Sequence, residues 1–144
     1  MAYTTQDDII KRRIPEDDLI QLTDDNDLGG VDAAVVASVI SEADELIDGY
    51  LRQRYDLPLA SVPGFIAGIA IDLCAYSLYQ RQPHVETPES IIAGRRDALA
   101  LLKQIQRGDL DLGLSSSGDT TSGSGASFSA NDRLTGRSKM SGLL

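Results

Sequence analysis

The sequence predicts an all-α fold: a small helical bundle of three main helices and two short N-terminal ones, followed by an extended C-terminal tail. Three observations predict it. Apolar residues recur at three- and four-residue steps through most of the first 110 or so positions, the signature of one buried helix face. Proline, Thr and Asp stand where such runs begin. The composition then changes abruptly after Leu114, where Ser115-Ser116-Ser117-Gly118 opens a Ser/Gly/Thr-rich stretch. The resulting division is a helical body over 1–114, a linker over 115–130 and a docking segment over 131–144.

Thr4 or Thr5 is placed to cap a first short helix through Lys11-Arg12-Arg13, with Asp7 and Asp8 at its positive end and the bases at its negative end. Pro15 suits the first position of a second short helix through Leu22. After a loop from Thr23 to Gly30, Asp32 caps the first long helix, with Val31 and Val36 set to staple its start. Val35, Val39, Ala43, Leu46, Ile47, Tyr50 and Leu51 give it an apolar stripe to about Tyr55. Pro58 and Pro63 bracket a stiff connection. The next helix starts near Pro63, is apolar almost all round from Phe65 to Tyr79, and is the expected central helix; Pro83 ends it. Thr87-Pro88-Glu89 restarts the chain as cap, first-turn proline and favourable acid. Ile91 or Ile92, Ala98, Leu99, Leu102 and Ile105 carry the last helix to a stop at Gly108.

With 144 residues the chain has room for one domain with a modest core. Its net charge of -9 is uneven: nine acids and three bases over 1–32, eleven and seven over 33–114, two and three over 115–144. An acidic body disfavours binding to a phosphate backbone, which relies on Lys and Arg. No apolar run reaches the ~20 residues of a membrane span, and Met1-Ala2-Tyr3-Thr4 does not open like a signal peptide. One cysteine, Cys74, forms no internal disulfide framework, and a reducing cytosolic compartment is expected. His84, the one histidine, supports neither a zinc site nor a catalytic triad. Dinucleotide, Walker and nucleophile-elbow glycine motifs are absent, and no cofactor or enzyme activity is expected.

The order of several short segments is familiar. Leu19-Ile20-Gln21-Leu22-Thr23-Asp24 precedes an Asp/Gly loop and Val31-Asp32; Ile47-Asp48-Gly49-Tyr50-Leu51 follows, then Arg54-Tyr55-Asp56-Leu57-Pro58-Leu59, Val62-Pro63 and Ile71-Asp72-Leu73-Cys74-Ala75-Tyr76. This series, over residues 2–112, resembles the head-completion, or head-tail adaptor, family of phages related to Mu. Asn131-Asp132-Arg133-Leu134 and Met140-Ser141-Gly142-Leu143 resemble that family's terminal segment, although the Ser/Gly insertion here is long. The resemblance implies a structural protein of the virion neck, assembled in the host cytoplasm. It implies a ring, usually of about twelve copies, beneath the portal protein ring and around the path of the DNA, on which the next neck or tail-completion protein assembles.

Several residues are candidates for chemistry or contact. In the tail, Phe128, Leu134, Met140, Leu143 and Leu144 are apolar anchors with Arg133, Arg137 and Lys139 between them, suited to a portal edge or a groove on a neighbour. About 30 extended residues reach roughly 100 Å. Asp72, alone in an apolar run, needs a partner if buried, and Arg54, Arg95 and Arg96 are the expected ones. Asp24 to Asp32 hints at a calcium loop, but a frame from Asp25 puts Val36 where a bidentate Glu is required, so an acidic turn into a helix cap is expected. Arg81, Arg95, Arg96, Lys103 and Arg107 concentrate positive charge toward the end of the body and could face the acidic N-terminal region of a neighbouring subunit. Cys74 is expected in the core and His84 in solvent. The rival to the adaptor is an acidic DNA-mimic inhibitor of a nucleic-acid-binding enzyme, which needs regularly spaced surface carboxylates.

Overall fold

The computed structural model describes residues 2–114. They form five helices: α1 (Gln6–Arg12), α2 (Glu16–Thr23), α3 (Ala33–Leu51), α4 (Gly64–Gln80) and α5 (Glu89–Arg107). The bundle is the predicted one, two short helices leading into three long ones. The tail expected from the sequence lies outside the described residues.

α4 organises the packing. Ile66, Ile69, Ala70, Ile71, Leu73, Cys74, Ala75, Leu78 and Tyr79 are all buried, so the helix has almost no solvent face. A helix apolar on nearly every side must be covered on nearly every side. α5 and α3 cover it along its length, α1 and α2 close the remaining sides, and α3 also touches α5 and α1. The α3–α4 connection joins the core through Tyr55 and Leu59, across a cis peptide between Leu57 and Pro58.

Helix ends follow local chemistry. Thr5 caps α1, its hydroxyl accepting the Asp8 N–H at 3.3 Å. Asp32 caps α3 and accepts the N–H groups of Ala34 and Val35 at 3.0 and 3.4 Å. Gly108 closes α5 with φ +89°, a left-handed conformation that side chains other than glycine's resist. Pro15, Pro63 and Pro88 each stand one place earlier than a first helical residue, in the capping position itself. Thr87 therefore does not cap α5; its hydroxyl accepts from Gln80 Nε2 at 3.2 Å.

Two expectations for α3 are corrected. The helix ends at Leu51, not near Tyr55: the N–H groups of Arg54 and Tyr55 share the Leu51 carbonyl, both at 2.9 Å, and this tightened turn swings the Tyr55 ring into the core. The buried stripe is Val36, Val39, Ala43, Ile47 and Leu51. Val35 and Leu46 fall on its margins, and Leu46 is 38% exposed.

Leu78 is fully buried in the last turns of α4. Leu78→Ala should cost about 2–5 kcal/mol, the range for a core leucine left as a cavity. Urea unfolding followed by circular dichroism checks this, and a midpoint within error of the parent's would contradict the central role of α4.

Candidate assembly surfaces

The body carries two contrasting surfaces. The first is a groove of about 410 Å³ between α4 and α5, with Tyr76, Ile92 and Leu99 as apolar walls and Arg95, Arg96 and Lys103 around them. Ile92 is 42% exposed. The Arg95 guanidinium lies 4.6 Å from the centre of the Tyr76 ring, a cation–π contact that fixes it across the groove. Arg95 also lines a smaller neighbouring depression with Glu42, Leu46, Leu73 and Ser77, so the two form one continuous face. Arg96 pairs with Asp97 at 3.2 Å on the exposed outer surface. Arg95 and Lys103 form no ion pair among the described residues.

The second surface is the acidic loop between α2 and α3. Its ends are tied by Thr23, a buried residue whose hydroxyl donates to the Leu19 carbonyl at 2.8 Å and accepts the Asp32 N–H at 3.1 Å. The Asp24 carboxylate accepts the Leu28 and Gly29 N–H groups at 2.8 and 2.7 Å. Those two hydrogen bonds, Leu28's first, hold its pKa below the ordinary value. Arg81, at the end of α4, donates to the Leu22 carbonyl at 2.6 Å and to Asp25 at 2.7 Å, and Gln82 donates to Asp25 at 3.1 Å. The loop is the acidic turn into a helix cap that its spacing predicts. The Asp24 and Asp32 carboxylates are directed at backbone amides and that of Asp25 at Arg81 and Gln82, while Asp27 is exposed and Leu28 projects with 83% of its surface exposed.

Asp72 is paired, but not with the expected arginines. Its partner is Arg13, just after α1, at 2.5 Å between Nε and Oδ1. The reason is packing: α1 lies against α4, and α5 approaches Asp72 through Gly94, where a Cβ would stand 3.2 Å from the carboxylate. Arg54 is instead engaged with the Ile105 carbonyl at 3.2 Å, Arg95 is turned onto Tyr76, and Arg96 faces solvent. The proposed Asp72–Arg54–Arg95 cluster therefore does not form. With the Arg13 side chain 44% exposed, the observed pair is worth at most about 1 kcal/mol.

Sequence reasoning missed two anchors. Tyr3 is buried against α3: its N–H donates to Asp44 at 3.0 Å, and its hydroxyl donates to Asp48. Burial raises the pKa of Asp44, opposed by the hydrogen bond from Tyr3. Tyr55 binds the end of the body, donating to Asp111 at 2.9 Å and accepting the Leu112 N–H at 3.0 Å. The four-residue spacing of Asp44 and Asp48 on an otherwise apolar face was the available signal for the first anchor. Cys74 is fully buried, its thiol pushed up to about 12 mainly by that burial, and His84 is exposed. The sequence-predicted docking residues Phe128, Arg133, Leu134, Arg137, Met140, Leu143 and Leu144 lie outside the described residues.

Among the described residues no three His, Cys, Asp or Glu side chains are grouped to hold a metal ion, and no helix is long and apolar enough to cross a membrane. Fold and surface together define a small protein, all-α over the described residues, whose distinctive features are a charged loop and an apolar, basic groove. The chain belongs to the Bacteriophage Mu gp36 family, whose model matches residues 3–130. It is similar to gene product J of Escherichia phage Mu, with 34% identity over 88 residues, covering 61% of this chain and 60% of that protein. A second relative is the Mu-like prophage FluMu protein gp36 of Haemophilus influenzae, 27% identical over 115 residues and 79% of each chain. The resemblance to Mu-related phage proteins read from the segment order is thus the family found.

Two outcomes follow from the carboxylates of Asp24 and Asp44. Asp24→Ala should remove amide-exchange protection at Leu28 and Gly29 while leaving α4 protected. In the parent, the same protection should persist above the ordinary carboxyl value of 3.8 and be lost as pH falls through the lower folded-state value. Asp44 has the opposite sign: its folded-state pKa is raised, so its ionisation favours the unfolded chain as pH rises above 3.8. Asp44→Asn keeps an acceptor for the Tyr3 N–H without the charge. It should melt above the parent at pH 7, with the gap narrowing toward pH 4; a lower melting temperature at both values would contradict this account.

Proposed function

We propose that this chain is a structural virion protein, a head-tail adaptor. In this reading the helical body joins a ring beneath the portal, encloses the DNA path and offers a platform to the next neck protein. Residues 115–144 latch onto the portal or a neighbouring copy. No catalytic step is assigned to it. The observation that carries the reading is the face along α4 and α5, where exposed Ile92 and half-buried Tyr76 and Leu99 lie beside Arg95 and Lys103, which form no ion pair among the described residues. Such a surface is suited to burial against protein. Family membership supports the phage setting.

The rival, a DNA mimic, needs carboxylates presented outward at phosphate-like spacing. Here Asp24 and Asp32 are directed at backbone amides and Asp25 and Asp72 at Arg81 and Arg13, so the outward carboxylates of α2 and its loop that form no ion pair among the described residues are Glu16, Asp17, Asp18 and Asp27. A mimic would bind a basic DNA-binding protein in a salt-dependent manner; an adaptor binds an isolated portal ring.

Analytical ultracentrifugation of the full chain with its phage's portal ring is the test. The expected result is co-sedimentation near one adaptor per portal subunit, weakened at least tenfold by deletion of residues 115–144. A chain that stays monomeric and free of the portal at all concentrations would remove the adaptor reading; unchanged affinity after the deletion would remove the latch alone.

A further inference from the structure

The two surfaces described above have opposite charge, and one exposes a large hydrophobe where the other is an apolar-walled groove. Leu28 is held outward on a loop whose backbone is fixed at both ends by Thr23, inside by Asp24, and at its side by Arg81 and Gln82. It is the most exposed of the large hydrophobic residues described. Asp27 beside it, and Glu16, Asp17 and Asp18 on α2, are exposed and form no ion pair among the described residues. The α4–α5 groove is the converse, with apolar walls from Tyr76, Ile92 and Leu99 and the charges of Arg95 and Lys103 unanswered.

Building on the self-association in the adaptor reading, we propose that Leu28 and its acidic loop seat in the α4–α5 groove of a second copy of this chain. Charge selects this occupant. Residues 115–144 carry two acids and three bases, and would bring net positive charge to a basic rim. The acidic loop brings the opposite sign and a hydrophobe to cover the floor. The contact joins different copies because the loop is fastened to the Arg81 end of α4 and its own chain's groove is lined without it. Loop and groove are different patches of one molecule, so the contact is head-to-tail: every copy offers a loop to one neighbour and a groove to the other. Such contacts propagate, and close into a ring when the rotation between neighbours permits. One loop in one groove is a small interface and therefore weak between free chains, but it strengthens when copies are held side by side on a common partner.

Cross-linking tests the contact directly. Full-length chains carrying Leu28→Cys or Ile92→Cys are mixed at high concentration, and in parallel with co-produced portal protein, then treated with a short bismaleimide. Both positions are exposed, and the native Cys74 thiol is fully buried and pushed up to about 12, so it does not compete. The expected product is a covalent dimer formed several-fold more in the mixture than in either chain alone, and suppressed at about 1 M salt, where the screening length falls to about 3 Å. A chain carrying both substitutions should give a ladder of multimers. Absence of the mixed dimer in both settings overturns the contact. If the chains still co-sediment with the portal, the adaptor reading survives that result; if they do not, both fall.

Discussion

Everything in the body follows from the need to cover α4. Nine of its side chains are buried, and each large one gains roughly 1.5–3 kcal/mol by leaving water. No single neighbour can shield a helix that is apolar on all sides, so two long helices and two short ones are drawn around it. The short helices show the constraint most clearly. α1 and α2 are too short to persist as isolated helices in water, and they stand because Ile9, Leu19 and Leu22 fill the flank of α4 that α3 and α5 leave open. Their acidic first turns and the loop after α2 thereby become fixed features of the surface.

This division of labour explains why polar side chains cluster at the seams. Arg13 reaches α4 from the end of α1, and Arg81 reaches back from the end of α4 to α2 and its loop. Tyr3 ties the N-terminal segment to α3 through Asp44 and Asp48, and Tyr55 ties the α3–α4 connection to the segment after α5. Each joins chain segments far apart in the sequence. Arg95 and Lys103 on α5 have no such duty and form no ion pair among the described residues.

Much of this was legible in the sequence because it is local. Thr5, Asp32 and Gly108 act within a turn of where they stand, and their roles as caps and stop were readable from type and position. The centrality of α4 was readable from an apolar run with no polar stripe. What was not legible depends on packing. Which arginine meets Asp72 is decided by the approach of α1 and by Gly94, neither of which is encoded near Asp72. The Asp44 and Asp48 pair has meaning only once Tyr3 is folded back across more than forty positions. The buried stripe of α3 was displaced at its edges, where Val36 replaces Val35, because helical periodicity names a face more firmly than its margins. The basic patch was foreseen as a collection; that only part of it stays unpaired was a matter of three dimensions.

The corner at Tyr55 also sets a load path. The chain leaves the described body at Leu114, two residues beyond the amide that the Tyr55 hydroxyl accepts, while Arg54 next to it grips the last turn of α5 at Ile105. A pull applied through the following residues meets this corner first. It is shared between the end of α3 and the end of α5 before it can peel the α5 ladder. Anchorage of that kind lets a protein be tugged by one end without unravelling from that end.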